Sequence, residues 1–583
     1  MTLTAVSGNR ALPISELRLP TEGVQGHLFD AGYAIPLGLR LPLSQIVSIV
    51  GLDTGDEGKG RTCFDMADRI RLCTGCEDAV AIGFKPNGGA NSGHSAGNFK
   101  FNLIPSSAAD PLVPCLALGA GVVADPLKLH WEVRSLEAQG LTVWPRLRLS
   151  HKLQLSDITH RVLDLAEEHY RTVVAGTPRG STGRGISPAF QAETGQRQIH
   201  YVSFHGSKDL FASAMRERAA TAERMIQHVW KVPAQEWFAF FEKLSSAEER
   251  ANKAAVEIGA LVKEELDLRR FCTDQPFTFA VDRMIEEYWE VGQAVRAHIT
   301  DVSELLMEAL RGGRYIIVEF GQAYWLDKRH GHAPNTTSSH TTTPEFFESA
   351  GIPIQPVHIS GAAKVYDTKV GTHHFPTEIP LGHPLGDLLR TIEFGTTTGR
   401  QRMVGWPDTV AKGHAIRHSG ITELNLLKLD VLNYRGDWQQ GKLRICAAYR
   451  TAEGKELYQV PLHEEEWKGC TPVYIDLDAW SEDLQGVRSF NELPEAAKLY
   501  VAAIYVATMR CAHLGTLPPY DQLPPIGFVG VGPGRGEVLT DCYSPARLIE
   551  MVRRAGIMAD FLGTAAPAPT TPLQEETRIA VAT

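Results

Sequence analysis

The sequence has few features of a secreted, membrane-bound or nucleic-acid-binding protein. None of its apolar runs is long enough to cross a bilayer, and residues 1–20 contain no apolar signal core. The net charge of −10 argues against binding to nucleic acid or to an anionic membrane. The nine cysteines are scattered and odd in number, which is typical of free thiols in a reducing compartment. These absences indicate a cytoplasmic protein with no nucleic-acid or membrane partner.

Short apolar runs alternate with longer helix-like runs along the chain of 583 residues. The strand-like runs are 46–51, 80–84, 315–320, 363–370, 426–432, 443–448 and 526–529. The helix-like runs are 126–139, 158–170, 207–230, 234–266, 281–310, 409–419, 492–510 and 545–561. Strands separated by helices predict an α/β domain, with a central, mostly parallel sheet flanked by helices.

The composition divides the chain into three parts. Residues 1–44 show no regular spacing of apolar side chains and are interpreted as an N-terminal extension. Residues 45–563 are interpreted as one large domain, and residues 564–583 as a disordered tail. Within the domain, residues 204–299 are charged and helix-like around an aromatic centre at 237–241. This segment predicts a helical insertion that covers the sheet, and a partner-binding role is the less favoured alternative.

The most informative motif is a glycine-rich turn directly after the apolar run 46–50, with the sequence Gly55-Asp56-Glu57-Gly58-Lys59-Gly60-Arg61. A strand that enters such a turn presents backbone N–H groups and a lysine to phosphate. The turn differs from the common P-loop, because Gly60 follows Lys59 and Asp53 stands at the first glycine position. The Asp56 carboxylate is suited to hold Mg²⁺ or to act as a base beside the phosphate.

Further motifs follow in a fixed order. They are Gly88-Gly89-Ala90-Asn91-Ser92-Gly93-His94-Ser95, Asn102-Leu103-Ile104-Pro105-Ser106, Ser181-Thr182-Gly183-Arg184-Gly185-Ile186-Ser187-Pro188-Ala189, Thr396-Thr397-Thr398-Gly399-Arg400-Gln401-Arg402 and Lys428-Leu429-Asp430. With the turn at 55–61 they resemble the adenylosuccinate synthetase family, over residues 45 to about 560. The resemblance implies a catalytic domain with the α/β fold predicted above. It also implies a cytoplasmic homodimer that joins L-aspartate to IMP with GTP and Mg²⁺, through 6-phosphoryl-IMP, in the first committed step of AMP synthesis.

The resemblance assigns the chemistry to a few residues. Asp56 matches the base that removes the N1 proton of IMP, and with the backbone carbonyl of Gly93 it matches the Mg²⁺ ligands. His94 matches the donor to the charge that develops at O6 and the γ-phosphate. Lys59 matches a cation on the transferred phosphate.

The resemblance also implies three sets of binding residues. For GTP they are the turn at 55–61 with Gly93, His94, Ser95, Arg402, Lys428, Leu429, Asp430, Gly530, Val531 and Gly532. For IMP they are Asp56, Glu57, Gly58, Lys59, Asn91, Ser92, Gly93, His94, Thr182, Arg197, Gln322, Thr337 and Arg400. For aspartate they are the members of a mobile loop, Thr396, Thr397, Thr398, Gly399, Arg400, Gln401 and Arg402.

The family lends an arginine from the neighbouring subunit to the IMP phosphate. An ungapped alignment puts Gln196 at this position, whereas guanidinium chemistry favours the adjacent Arg197 with a shift of one residue. We take Arg197 as the shared residue and leave Gln196 as the alternative.

Several positions depart from the family pattern. Asp53-Thr54 replaces Gln-Trp, Gly530 stands where a serine is usual, and His373-His374 replaces Gly-Pro. His340 replaces an asparagine, and with His330, His332 and the pair at 373–374 it suggests a metal cluster. The irregular spacing favours a solvated or hydrogen-bonding role instead.

Two other functions remain open at this stage. The first is an aspartate ligase that acts on another 6-oxopurine nucleotide such as (d)GMP, and the second is a non-catalytic regulator that binds guanine nucleotides. Retention of Asp56 favours IMP over (d)GMP, because the resemblance implies that viral relatives acting on such nucleotides replace this aspartate. A 2-amino group would also have to fit near the carboxylate. Retention of Asp56, Lys59 and His94 together argues against a mere binder.

Overall fold

A ten-stranded sheet is the framework of the protein. The structure is a computed structural model and describes residues 40–369, 373–394, 401–534 and 536–557. The sheet order is β19-β18-β14-β11-β1-β10-β2-β5-β7-β9, with all neighbours parallel except β18 and β19. These strands are β1 Ile46–Gly51, β2 Val80–Lys85, β5 Cys115–Leu118, β7 Leu147–Ser150, β9 Ile299–Thr300, β10 Tyr315–Glu319, β11 His358–Lys364, β14 Glu423–Leu427, β18 Ile526–Gly530 and β19 Val538–Leu539.

Smaller sheets surround this framework. Three antiparallel strands form one of them, in the order β16-β15-β17, and two-stranded pairs are formed by β3 with β4, β6 with β8, and β12 with β13. Their bounds are β3 His94–Ala96, β4 Phe99–Phe101, β6 Val123–Ala124, β8 Gln154–Leu155, β12 Asp367–Lys369, β13 Met403–Gly405, β15 Lys442–Arg450, β16 Glu456–Leu457 and β17 Thr471–Asp478.

Sixteen α-helices flank the sheets in the described residues. They are α1 Lys59–Thr74, α2 Pro126–Ala138, α3 Ile158–Tyr170, α4 Ile186–Thr194, α5 Lys208–Arg224, α6 Ala234–Ala251, α7 Lys253–Glu257, α8 Lys263–Leu266, α9 Val281–Val295, α10 Val302–Arg311, α11 Pro344–Ala350, α12 Pro384–Ile392, α13 Thr409–Ser419, α14 Glu464–Lys468, α15 Glu495–Ala512 and α16 Pro545–Arg554. No helix in these ranges is long and apolar enough to cross a membrane.

The central strand β1 separates two apolar cores. Successive side chains of a strand point to opposite faces, so Ile46 and Val50 pack on one side of the sheet and Val47 and Ile49 on the other. The first core includes α10 to α13, α15 and the sheet of β15 to β17. The second includes α1 to α3 and the helices of the segment 204–299. Both faces of the sheet are therefore covered, as is usual for parallel sheets.

The segment 204–299 is helical and packs on the second core, as the sequence predicts. Its aromatic centre is inward-facing, because Trp237, Phe240 and Phe241 are all buried in α6. The predicted single helix 234–266 is wrong in detail: it is divided into α6, α7 and α8.

Most of the predicted helices and strands are present, but several bounds are wrong. The predicted helix 281–310 is wrong, because α9 ends at Val295 and the strand β9 lies between it and α10. The eight-residue strand β17 was not predicted. The predicted strand 363–370 is wrong, because β11 ends at Lys364 and β12 begins at Asp367. The predicted strand 426–432 ends early, at Leu427, since Lys428 adopts a left-handed backbone with φ 65°. The strands β5, β7 and β9 were not predicted, because runs of two to four residues carry little periodicity of their own.

Two of the unusual histidines form an aromatic stack rather than a solvated surface. His332 stacks on Trp325 at a centroid distance of 4.3 Å, on Trp467 at 4.7 Å and on His373 at 4.9 Å. The described residues contain no group of three or more His, Cys, Asp or Glu that could hold a metal ion.

The expectation is confirmed for two of the other histidines. The hydrogen-bonding role fits His340, whose Nδ1 lies 3.2 Å from Asp327 Oδ2, and His330 is exposed to solvent. The expectation of a solvated side chain is wrong for His373, which is buried, and His332 is half-buried in the stack.

The helices α13 and α15 approach each other closely at Gly413. A Cβ at this position would lie 2.6 Å from both Ala512 N and Cys511 Cβ. We expect Gly413→Ala to lower the free energy of unfolding by about 1–3 kcal/mol, because backbone has to move to admit the methyl group. Urea denaturation measures this loss. Gly312→Ala is the control, since its Cβ would be no closer than 3.4 Å to its neighbours. Equal stability of the two variants would contradict the close packing.

The histidine stack predicts a loss of stability in acid. Burial, together with Lys369 and His374, lowers the pKa of His373 from 6.5 to about 3. Because the unfolded chain takes up this proton first, stability falls as the pH drops from about 6.5 towards 3. Between pH 7 and pH 5 we expect the wild type to lose about 2 kcal/mol more than His373→Asn. Urea denaturation at both pH values measures this difference.

His228→Asn is the control for this measurement, because the His228 side chain is exposed. It should follow the wild-type profile. Parallel pH profiles of the wild type and His373→Asn would show that the stack does not resist protonation.

Candidate active site

The glycine-rich turn joins β1 to the N-terminus of α1. Gly58 begins the helix in a left-handed conformation, and Lys59 is its first residue. Glu57 is buried inside the turn, where its carboxylate accepts from Gly55 N at 2.7 Å and from Lys59 Nζ at 2.6 Å. Burial raises the pKa of Glu57, but the Lys59 ammonium lowers it more, so the net shift is downward. The turn therefore holds a lysine and free backbone N–H groups where an anion binds best.

His94 lies against the first turn of α1. A Cβ at Gly60 would be 2.7 Å from Ser95 O and 3.2 Å from His94 Cβ, so only glycine allows this approach. Burial lowers the pKa of His94 from 6.5 to about 4, although Glu319 opposes the shift. At neutral pH the imidazole is uncharged and retains one N–H to donate.

Two charged residues that the sequence analysis did not single out support His94. Glu319 ends β10, with its Oε1 3.7 Å from His94 Nδ1, and it accepts from Ser106 N at 2.8 Å and Ser106 Oγ at 2.5 Å. Lys85 ends β2 and donates to Ser92 O at 3.2 Å. Both are charged residues at the end of an apolar, buried strand, and this was the signal available in the sequence.

Asn91, Gln322 and Thr337 come together beside this strand edge. Asn91 Nδ2 donates to Thr337 Oγ1 at 3.4 Å, and Gln322 Nε2 donates to Asn91 O at 3.3 Å and Ser92 Oγ at 3.1 Å. Among the described residues, Asn91 Oδ1 and Gln322 Oε1 are buried without a hydrogen-bond partner. Since buried polar atoms are rarely left unpaired, these two amide oxygens mark a place for a polar ligand.

Two predicted IMP residues are outside this cluster. Thr182 is exposed, on a loop that reaches residues 335–338 through a 3.3 Å contact of Arg179 with Asn335. Arg197 is exposed beyond the end of α4. In the described part of the chain, no hydrogen bond or ion pair joins either side chain to the cluster.

Of the predicted aspartate-binding loop 396–402, the structure describes only Gln401 and Arg402, and Thr396, Thr397, Thr398, Gly399 and Arg400 lie outside the described residues. Arg402 Nη2 forms an ion pair with Asp56 Oδ2 at 2.7 Å. Gln401 Nε2 donates to Arg390 O at 3.1 Å instead. The structure therefore brings one end of this loop directly onto the predicted base.

The predicted guanine-binding residues follow the ends of β14 and β18. Arg61 links them to α1, because it donates to Gly532 O. Lys428 Nζ contacts Glu393 Oε1 at 2.5 Å, and burial raises the pKa of Asp430. The Leu427 side chain packs between the glycine-rich turn and the loop after β18. A Cβ at Gly58 would lie 2.8 Å from one of its methyl groups, and a Cβ at Gly530 would lie 2.9 Å from the other.

Glu393 is a second carboxylate that the sequence analysis missed. It is buried between Lys364, at 3.2 Å, and Lys428, and Tyr366 donates to it. Burial raises the pKa of Glu393, but Lys364, Lys428 and Tyr366 together outweigh this effect and lower the pKa from 4.5 to about 2. Arg402 N donates to Glu393 O at 3.1 Å, so one residue ties the loop end to the predicted guanine site. A single glutamate before the threonine run gives no sequence signal of this role.

The arrangement combines the groups that phosphoryl transfer needs. A helix N-terminus with Lys59 suits a nucleotide phosphate, and the Asp56 carboxylate lies next to it. The carboxylate and the Gly93 carbonyl are hard oxygen donors, so their chemistry fits Mg²⁺. A neutral, buried histidine beside a carboxylate suits donation to an oxygen that gains charge.

Comparison with known proteins agrees with this chemistry. The sequence model of the family described as adenylosuccinate synthetase matches residues 48–270 and 257–516. The adenylosuccinate synthetase of Xylella fastidiosa strain M23 is 32% identical over 507 residues, which cover 85% of this chain and 97% of that protein. That of Parafrankia sp. strain EAN1pec is 33% identical over 500 residues, covering 84% and 97%.

A solved structure shares the fold. Fully ligated adenylosuccinate synthetase from Plasmodium falciparum has a TM-score of 0.67 and 24% sequence identity, over 85% of this chain and 100% of that chain. The family match spans most of the chain, and both curated relatives are covered almost completely. The chain therefore belongs to the adenylosuccinate synthetase family.

Proposed function

We propose that the residues around the N-terminus of α1 carry out the reaction of this family, the GTP-dependent ligation of L-aspartate to IMP. The products are adenylosuccinate, GDP and phosphate. The observation that supports this most directly is the convergence of Asp56, Lys59 and His94 at one strand edge, with Glu319 behind the histidine. A ligase needs all of these groups, whereas a nucleotide-binding regulator does not.

Asp56 acts as the base in the first step. It removes the N1 proton of IMP, so that the electron pair moves to O6 and O6 attacks the γ-phosphorus of GTP. The bond between the γ-phosphorus and the β,γ-bridging oxygen breaks, and GDP leaves. In the second step the amine of aspartate attacks C6 of 6-phosphoryl-IMP, and phosphate leaves. The Asp56 side chain has the exposure that substrate contact needs, about a quarter of its surface.

His94 and Lys59 stabilise the charge that moves in these steps. His94 donates its N–H to O6 and the transferred phosphoryl group, as a neutral imidazole. The Glu319 carboxylate lies 3.7 Å from Nδ1 of the ring, close enough to act on it electrostatically but too far for a hydrogen bond. Lys59 places its ammonium group on the phosphate, and Glu57 neutralises it when no phosphate is bound.

The Asp56 carboxylate and the Gly93 carbonyl are the residues that would hold Mg²⁺. When bound, the ion supplies positive charge to the nucleotide phosphates. It needs few protein ligands, since Mg²⁺ usually keeps several waters and binds through one or two protein oxygens and the phosphates.

The remaining residues bind the three substrates. Asn91, Gln322, Thr337 and Thr182 contact IMP, and the two unpaired amide oxygens of this cluster support its place. Lys428, Asp430 and the loop at 530–532 contact the guanine nucleotide, and the mobile loop at 396–402 grips the carboxylates of aspartate. We also propose that the enzyme works in the cytoplasm as a homodimer, in which Arg197 reaches the IMP phosphate of the other subunit.

Mass spectrometry of a reaction with GTP, Mg²⁺, L-aspartate and IMP tests the function. We expect adenylosuccinate, GDP and phosphate from the wild type, and no ligated product when GMP or dGMP replaces IMP. Asp56→Asn and His94→Asn should each lower turnover by at least about 100-fold, because base and donor act in the transition state. Circular dichroism and a thermal melt show whether each variant is folded.

Other outcomes of this experiment are informative. Product from dGMP alone would identify a divergent ligase, and GTP binding without any product would favour a regulator. Near-normal turnover of either folded variant would overturn the assigned roles.

Arg197→Ala tests the contribution of the second subunit. We expect the KM for IMP to rise by about tenfold or more, because a guanidinium group pairs strongly with phosphate. Gln196→Ala is the matched control, one residue away and equally exposed. Steady-state kinetics with varied IMP measures both. A larger effect of Gln196→Ala would place the shared contact at Gln196, and no effect of either would exclude this segment from the site.

A further inference from the structure

Glu248 is a fully buried carboxylate outside the catalytic cluster. It belongs to α6 and has no exposed side-chain surface. Its Oε1 accepts from Arg161 Nη2 at 2.6 Å and from Arg184 Nη1 at 2.5 Å, and its Oε2 accepts from Lys128. Among the described residues, no other carboxylate accepts hydrogen bonds from Lys128, Arg161 and Arg184 together. One anion of the helical segment therefore holds three cations of the surrounding domain together.

The same helix contacts the loop 181–185 at a second point. A Cβ at Gly183 would lie 3.4 Å from Leu244 Cδ2, one helical turn before Glu248. Arg184 follows Gly183 directly and forms the ion pair with Glu248. The helix thus meets two consecutive residues of the loop, one by packing and one by charge.

The loop 181–185 is held firmly from the other side as well. Arg161 Nε donates to Gly183 O at 3.2 Å, and Gly185 N donates to Asp164 Oδ2 at 3.0 Å. Both partners belong to α3. Because Arg161 also binds Glu248, the carboxylate fixes the loop twice, through Arg184 and through Arg161.

This arrangement borders the proposed IMP site. Thr182 lies between Ser181 and Gly183 on the loop. A small cavity, of about 10 Å³, is lined by Lys128, Arg161 and Arg184 and also by Ala90, the neighbour of Asn91. Movement of the loop would therefore displace Thr182, and the cavity places Arg184 close to the turn that carries Asn91.

Loss of the Glu248 charge has a clear physical consequence. Removing one partner of a buried ion pair leaves uncompensated charge in a medium of low dielectric constant. Burial already lowers the pKa of Lys128 to about 8, so the lysine can lose its proton. The two arginines cannot, because a guanidinium stays charged in proteins. They have to move towards water, and Arg184 would pull the loop 181–185 with it.

We propose that Glu248 is a positioning residue for IMP: it fixes the loop 181–185 through Arg184 and Arg161, and so connects the helical segment to substrate binding. This inference rests on the proposed function. It assigns a role to the helical segment 204–299. The GTP side of the site, at the ends of β14 and β18, has no contact with Glu248 among the described residues.

Kinetics of Glu248→Gln tests the inference. The substitution keeps the size of the side chain and removes its charge. We expect the KM for IMP to rise about tenfold while the KM for GTP changes less than about twofold. Hydrogen exchange should be faster in peptides that cover residues 178–188. Glu249→Gln is the matched control, because Glu249 is the exposed neighbour on the same helix.

Glu248→Asp provides a second variant if Glu248→Gln does not fold. It keeps the charge but withdraws it by one methylene from the arginines, so a smaller rise in the KM for IMP alone is expected. An unchanged KM for IMP in a folded variant overturns the inference, and so does an equal rise in the KM for GTP. No turnover by the wild type would instead overturn the proposed function.

Discussion

The parallel pairing of β1 with β10 and β11 is the constraint on which the rest of the site depends. Val47 pairs with Ile317 on one side and with His358 on the other. In a parallel sheet all strands end at the same edge, and the loops that leave this edge form a crevice. This geometry places the turn at 55–61, Glu319 and the loops after β14 and β18 at one edge of the sheet. A shift of β1 would separate Asp56 from Arg402.

Internal carboxylates hold lysines of the site in place. Glu57 pairs with Lys59, and Glu393 binds Lys364 and Lys428. A buried cation without a partner is costly, so these carboxylates stabilise the ammonium groups in the folded chain.

Two departures from the family pattern are buried side chains. Asp53, which stands where the family has a glutamine, accepts from Lys412 Nζ at 2.7 Å. Burial raises its pKa to about 7, although Lys412 opposes the shift. His373 joins His332 in the aromatic stack. Neither change alters Asp56, Lys59 or His94.

The sequence by itself determined the fold class, most of the helices and the motifs that carry Asp56, Lys59 and His94, because these depend on local periodicity and on contiguous residues. Only the tertiary structure decided which distant charges meet. Glu319 and Glu393 were missed because their partners are far away along the chain. His332 and His373 were misjudged because the stack on Trp325 depends on packing, not on spacing. The three cations around Glu248 come from α2, α3 and a loop. No sequence pattern predicts that these residues meet, because only the packing of α6 brings them together.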